Sequence, residues 1–137
     1  MTLSMTIPVQ LRRTEHHLIL MASHAYWKEK LCNAIWNKET LDVSQIVKDD
    51  SCDLGHWLRS GEKHPHIMHL QSYHDLVRKN VEFHIQASKV AKCVNEKNYD
   101  AALRLTEHNS AFEYSSTAVI SAIFFLKKEA TKAMRLH

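Results

Sequence analysis

Four residues of this 137-residue chain have the types and spacing to act together: His24, Cys52, Asn80 and His84. Asn80 and His84 stand four apart, so on a helix both project from one face within reach of a single ion. His24 and Cys52 come from two other segments. A thiolate with imidazoles is a soft-to-borderline donor set, which favours zinc over magnesium or calcium. Cys52 follows Asp50 and Ser51, good helix N-caps, and the positive end of a helix dipole there favours a thiolate. Spacing alone is weak, because ligands from three segments form no regular motif and eleven histidines produce i, i+4 pairs by chance. The bland alternative is a pair of hydrogen-bonded core histidines and a small apolar cysteine. An imidazole buried without a partner costs roughly 1–3 kcal/mol, so each buried histidine demands a hydrogen bond or a metal.

The elements that must position these residues are helices. The chain has two glycines and two prolines, far below the typical usage of about 7% and 5%, which disfavours folds built on tight turns. Apolar residues recur at helical spacing from Gln10 to Trp36, through Leu11, Leu18, Met21, Ala25, Leu31 and Ile35. A stripe of His17, Leu20, His24, Trp27 and Leu31 lies beside them. Residues 37–50 read as a polar connector with one or two helical turns near Leu41–Ile46. Cys52–Leu58, bounded by Asp50/Ser51 and by Ser60-Gly61, reads as a short helix. Periodicity resumes from Ile67 to Asn95, with Asn80 and His84 on the stripe that faces the core. Tyr99–Leu136 reads as one last helix, its stripe running Ala102, Leu105, Asn109, Phe112, Ser116, Val119, Ile123, Leu126, Ala130 and Ala133 as core or dimer seam. Three long helices and one or two short ones predict an all-α, four-helix-type bundle, a single domain over 1–137.

Lys and Arg total 18 against 15 Asp and Glu, a net charge of +3. No basic run exceeds two residues, so nucleic acid is not an expected partner. Three cysteines, Cys32, Cys52 and Cys93, make no closed disulfide framework and no C-x-x-C pair. With no signal-peptide pattern and no apolar run of about 18 residues, a cytoplasmic protein without a membrane span is expected. Cys32 and Cys93 read as half-buried and inert. His64, His66, His69 and His74 read as exposed.

Three motifs make the sequence familiar. Cys52-Asp53-Leu54-Gly55-His56-Trp57-Leu58 resembles the C-x-[LF]-G-x-W-[LIY] signature of CZB domains, the chemoreceptor zinc-binding family. Upstream, His24-Ala25-Tyr26-Trp27-Lys28-Glu29-Lys30-Leu31 is similar to the family's H-x-x-W-K-x-[KR]-L pattern. Downstream, Leu76 to His84 is similar to L-x-x-x-H-x-x-F-H. The order and rough separations agree, over about residues 10–130. The resemblance implies a zinc ion held by His24, Cys52 and His84, with Asn80 at the fourth position, where the family has histidine. An amide oxygen is a poor zinc ligand, and three outcomes stay open. Zinc is retained with water or the Asn80 oxygen, a neighbouring histidine (His56 or His17) fills the gap, or the metal is lost. Gly55 and Trp57 read as architectural.

By the same resemblance the chain is a regulatory sensor in signal transduction and chemotaxis. It is expected to be a homodimer that passes its ligand state to an output domain or partner of the chemoreceptor or diguanylate cyclase type. Zinc occupancy would be one input, and oxidation of Cys52, as a redox-reactive thiolate, a second. The competing reading is a metal-free helical dimerisation or interaction module in which Asn80 and His84 satisfy each other. Catalysis is not expected: three ligands and a water resemble a catalytic zinc, but Glu82 lies on the far side of its helix from Asn80 and His84.

Overall fold

A computed structural model describes residues 12–48, 53–59 and 67–135, and the side chains of 25–48, 54–59 and 67–132 within them. These residues form six helices and no strand. They are α1 (Arg12–Asn37), α2 (Val43–Ile46), α3 (Asp53–Arg59), α4 (Gln71–Asn95), α5 (Tyr99–Leu105) and α6 (Ala111–Arg135). The expected all-α bundle is present. Among the described residues, no helix is long and apolar enough to cross a membrane.

Glycine, the usual residue for a left-handed helix stop, is scarce, and other residues take its place. Lys38 (φ 55°) and Lys97 (φ 60°) end α1 and α4. The Glu39 N–H donates to the Ala34 carbonyl at 3.0 Å, and the Asn98 N–H to the Cys93 carbonyl at 2.8 Å. Each is the long backbone bond of a Schellman stop.

The third left-handed residue, Asn109 (φ 70°), marks a correction. The single helix expected from Tyr99 to Leu136 is two, α5 and α6, because short polar side chains compete for the backbone. The Thr106 hydroxyl donates to the Leu103 carbonyl at 3.0 Å, and Ser110 Oγ caps α6 by accepting the Glu113 N–H at 3.2 Å. Asn109 is exposed and Leu105 half-buried, whereas Ala102, Phe112, Ser116, Val119, Ile123 and Leu126 are buried. The α6 stripe is core, packed against α4, with the Phe112 and Phe83 rings 5.5 Å apart.

A second correction concerns α1, whose buried face runs through Leu31, Ala34 and Ile35, with Trp27 and Lys28 half-buried at its edge. Ala25, placed on the core stripe by the sequence, is exposed. It sits six residues before Leu31, about 120° round the helix at 100° per residue. Cys32 is exposed rather than half-buried, while Cys93 is half-buried as expected.

The directions of the elements explain why three long helices suffice for a bundle of the four-helix type. α6 runs opposite to α4, since Phe112 meets Phe83 while Glu129 accepts the Ser72 N–H at 3.3 Å. α1 runs with α4: Trp27 touches His84, and beyond the end of α1 Leu41 meets Asn95. The connection between them supplies the fourth, descending member. Leu41 is at the level of Asn95, Ile46 at that of His84, and Leu58 at that of Tyr73, whose hydroxyl donates to the Leu58 carbonyl. These anchor points on α4 are eleven residues apart, about 16 Å each. Burial raises the Tyr73 hydroxyl pKa above its ordinary value, against the opposing pull of the Arg59 guanidinium.

The upper anchor is a double bond. The Asn95 side chain accepts the Leu41 N–H and donates to the Leu41 carbonyl, both at 2.7 Å. Below it Asp42 caps the single turn of α2, taking the Ser44 hydroxyl at 2.6 Å and the Gln45 N–H at 3.3 Å. The Ser44 bond is the main cause of the lowered Asp42 carboxyl pKa. Asn95→Ala is expected to cost about 1–3 kcal/mol, the loss of two hydrogen bonds to the backbone of the buried Leu41. Urea unfolding of the variant checks this, and a loss below about 0.5 kcal/mol would show the anchor to be idle.

Candidate metal centre

Asn80 and His84 occupy the inward stripe of α4, and both are fully buried. His84 Nδ1 lies 2.8 Å from the Ile46 carbonyl oxygen, at the end of α2, where a helix leaves its last carbonyls for outside partners. A carbonyl only accepts, so Nδ1 carries the proton, and in the neutral tautomer this leaves the lone pair on Nε2. Metal-ligating histidines are held in this way, one nitrogen fixed by a backbone oxygen and the other presented as a donor. The ring is also gripped edge-on by two aromatics. Trp27 of α1 is 5.5 Å away at 72°, and Phe83 is 5.5 Å away at 85°.

The Trp27 contact fixes the register of α1 against α4. Position 24 is one turn before Trp27, and Asn80 is one turn before His84. Because the two helices run in the same direction, the backbone of position 24 comes to the level of Asn80. One turn along from position 24, at the edge of the buried face of α1 opposite Trp27, Lys28 Nζ sits 3.2 Å from both carboxylate oxygens of Glu113, tying α1 to α6. On the descending connection, α3 starts between the Ile46 and Leu58 anchors and packs against both α1 and α4. Leu54, Gly55 and Leu58 face inward and Trp57 is packed at the edge of the core, the architectural part expected of Gly55 and Trp57.

Of the four candidate residues, Asn80 and His84 are thus brought together on α4. The His24 side chain and the whole of Cys52 lie outside the described residues. Among the described residues no group of three or more His, Cys, Asp or Glu stands ready to hold an ion. Of the two substitute ligands considered, His56 is exposed, two residues round from Leu54 and so on the outer side of α3. The His17 side chain lies outside the described residues. Glu82 is exposed and accepts from Gln86 Nε2 at 2.7 Å, on the side of α4 away from His84. His69, His74 and His108 are exposed, and His64 and His66 lie outside the described residues.

Two contributors escaped the sequence. The Ile46 carbonyl is a backbone group, for which residue type carries no signal. The Asn95 anchor had a faint one, an asparagine in the last turn of a helix. No protein-family model, curated protein or solved structure matches the chain.

Proposed function

We propose that this chain is a regulatory zinc-binding sensor domain of the CZB type, with His24, Cys52 and His84 as ligands and Asn80 at the fourth position. The observation that carries the reading is His84: fully buried, its Nδ1–H committed to the Ile46 carbonyl, one turn from a buried Asn80. Two imidazoles and a thiolate suit zinc, and the Asn80 oxygen or a water completes a tetrahedral set. α3 follows directly on Cys52 and packs against the two helices that carry His24 and His84. Bound there, zinc would supply a crosslink among three elements, raising the stability of that packing with metal concentration. At a free concentration a hundredfold above Kd the gain is about 2.7 kcal/mol, enough to bias two packings of the bundle.

The biased packing is the signal, passed within a homodimer to an output domain or partner of the chemoreceptor or diguanylate cyclase type. A peroxide is the second input. The Cys52 thiolate attacks the O–O bond, giving sulfenic acid and hydroxide, and the sulfur loses donor strength.

Elemental analysis of protein purified without added metal or chelator tests this, with Cys52→Ala as control. About one zinc per chain, lost in the variant, is the expected result. No zinc in the parent chain even after supplementation would overturn it. The competing reading, a metal-free interaction module, has its own support: the Ile46 carbonyl and the two aromatic edges are enough to seat a core histidine.

A further inference from the structure

The stripe through Phe112, Val119 and Leu126 lies in the core, yet α6 carries a second regular row on its outward side. Tyr114, Ala118, Ser121, Phe125, Lys128 and Lys132 follow one another in alternating steps of four and three residues, the spacing of a helix-pairing seam. Tyr114 and Phe125 are exposed by 65% and 61%. Ser121, Lys128 and Lys132 are exposed and Ala118 is half-buried. From Tyr114 to Leu126 the helix has no charged residue. Ala118 also borders a shallow groove of about 180 Å³ between α6 and α4, lined with it by Arg78, Lys79, Glu82 and Ser115. Both carboxylates of α6 are engaged elsewhere, Glu113 with Lys28 and Glu129 with the Ser72 N–H. Among the described residues, no carboxylate pairs with Lys128 or Lys132. Glu107, just before α6, and Glu82 on α4 are both exposed.

We infer that this row pairs with the same row of a second copy of the chain, the two α6 helices lying antiparallel about a twofold axis between Ala118 and Ser121. In that register Tyr114 meets Phe125 of the second copy and Ala118 meets its Ser121, each contact occurring twice. Lys128 and Lys132 reach the level of its Ala111 and Glu107. Small side chains in the central layers let the helices approach, and an aromatic layer about 8 Å to either side closes the contact. Charge selects the direction. Set parallel, the helices would bring Lys128 and Lys132 against their own copies, whereas antiparallel they carry them to the end where Glu107 and Glu82 stand. The row is also its own complement under the twofold, aromatic to aromatic and small to small, which a lipid surface does not require. This names the face of the homodimer in the proposed reading and rests on that part of it, while zinc plays no part in the contact.

Analytical sedimentation of the full chain over a concentration series tests this. The parent should reach twice its 15.9 kDa mass as concentration rises. Ser121→Arg, which puts a long charged side chain into a central layer, and Tyr114→Ala/Phe125→Ala should each weaken the dimer at least about tenfold. Lys132→Glu should weaken it as well, and adding Glu107→Lys should recover much of that loss, because the swap reverses both ends of one contact. All these positions are exposed, so the variants should melt like the parent chain. A dimer that none of them weakens would place the interface on another face, overturning this inference and leaving the homodimer standing. Loss without recovery in the charge swap would overturn the antiparallel register. A parent chain monomeric at every concentration would overturn both the inference and the homodimer, and co-sedimentation of that monomer with phosphatidylserine vesicles through Phe125 and Lys128 would give the row to a lipid surface instead.

Discussion

Asn80→His is expected to tighten zinc binding by about a hundredfold or more. A four-ligand structural zinc site is worth about 10–16 kcal/mol, or roughly 3 kcal/mol per protein ligand, and each 1.4 kcal/mol is a factor of ten. The present residue offers a neutral amide oxygen at a position where a second imidazole would face the same ion as His84, one turn away on α4. The substitution carries a cost. Asn80 is fully buried, and a larger ring in a filled core forces repacking worth about 1–3 kcal/mol. The metal-free variant should therefore unfold at lower urea than the parent, and the zinc-loaded variant at higher urea. Competition against a chromogenic chelator reads the affinity, and urea unfolding with and without zinc reads the linkage. An affinity equal to that of the parent chain would remove Asn80 from the ligand positions and leave it a core hydrogen-bonding residue.

The α4 stripe was legible because it repeats cleanly. Every third or fourth residue from Tyr73 to Val94 is apolar except Asn80 and His84, and the two exceptions were informative for that reason. All-α architecture followed from the shortage of glycine together with this periodicity. The break between α5 and α6 was not legible, because the 3–4 spacing continues through Leu105, Asn109 and Phe112. It is the local bonds of Thr106 and Ser110, with Asn109 in a left-handed conformation, that stop the helix. Nor could spacing show that α2 and α3 together form the fourth member of the bundle, since their anchors to α4 are a backbone carbonyl at Ile46, another at Leu58 and the amide of Asn95. Backbone acceptors are common to every residue, so sequence can name the donors but not their targets. The candidate site divides in the same way. His84 and Asn80 were placed by periodicity, while the bond that fixes the His84 tautomer depends on how the connector descends.

That bond gives His84 two separable duties, and two substitutions should separate them. His84→Ala is expected to destabilise the metal-free chain by about 3–5 kcal/mol: it leaves a cavity between Trp27 and Phe83 and strips the Ile46 carbonyl of its donor. Against a total stability of about 5–15 kcal/mol, such a loss threatens folding itself. His84→Asn is the milder variant. The asparagine amide nitrogen is two bonds from Cβ, as Nδ1 is, and can replace Nδ1–H on the Ile46 carbonyl, so the cost should stay within about 2 kcal/mol. Yet asparagine carries no donor atom at the position of Nε2, and metal content should fall to background. Urea midpoints and zinc content measured on both variants make the comparison. An asparagine variant that folds and keeps its zinc would place His84 outside the ligand set. One that folds, loses zinc and no longer gains stability from added metal would assign the Nδ1 side of the ring to the fold and the Nε2 side to the ion.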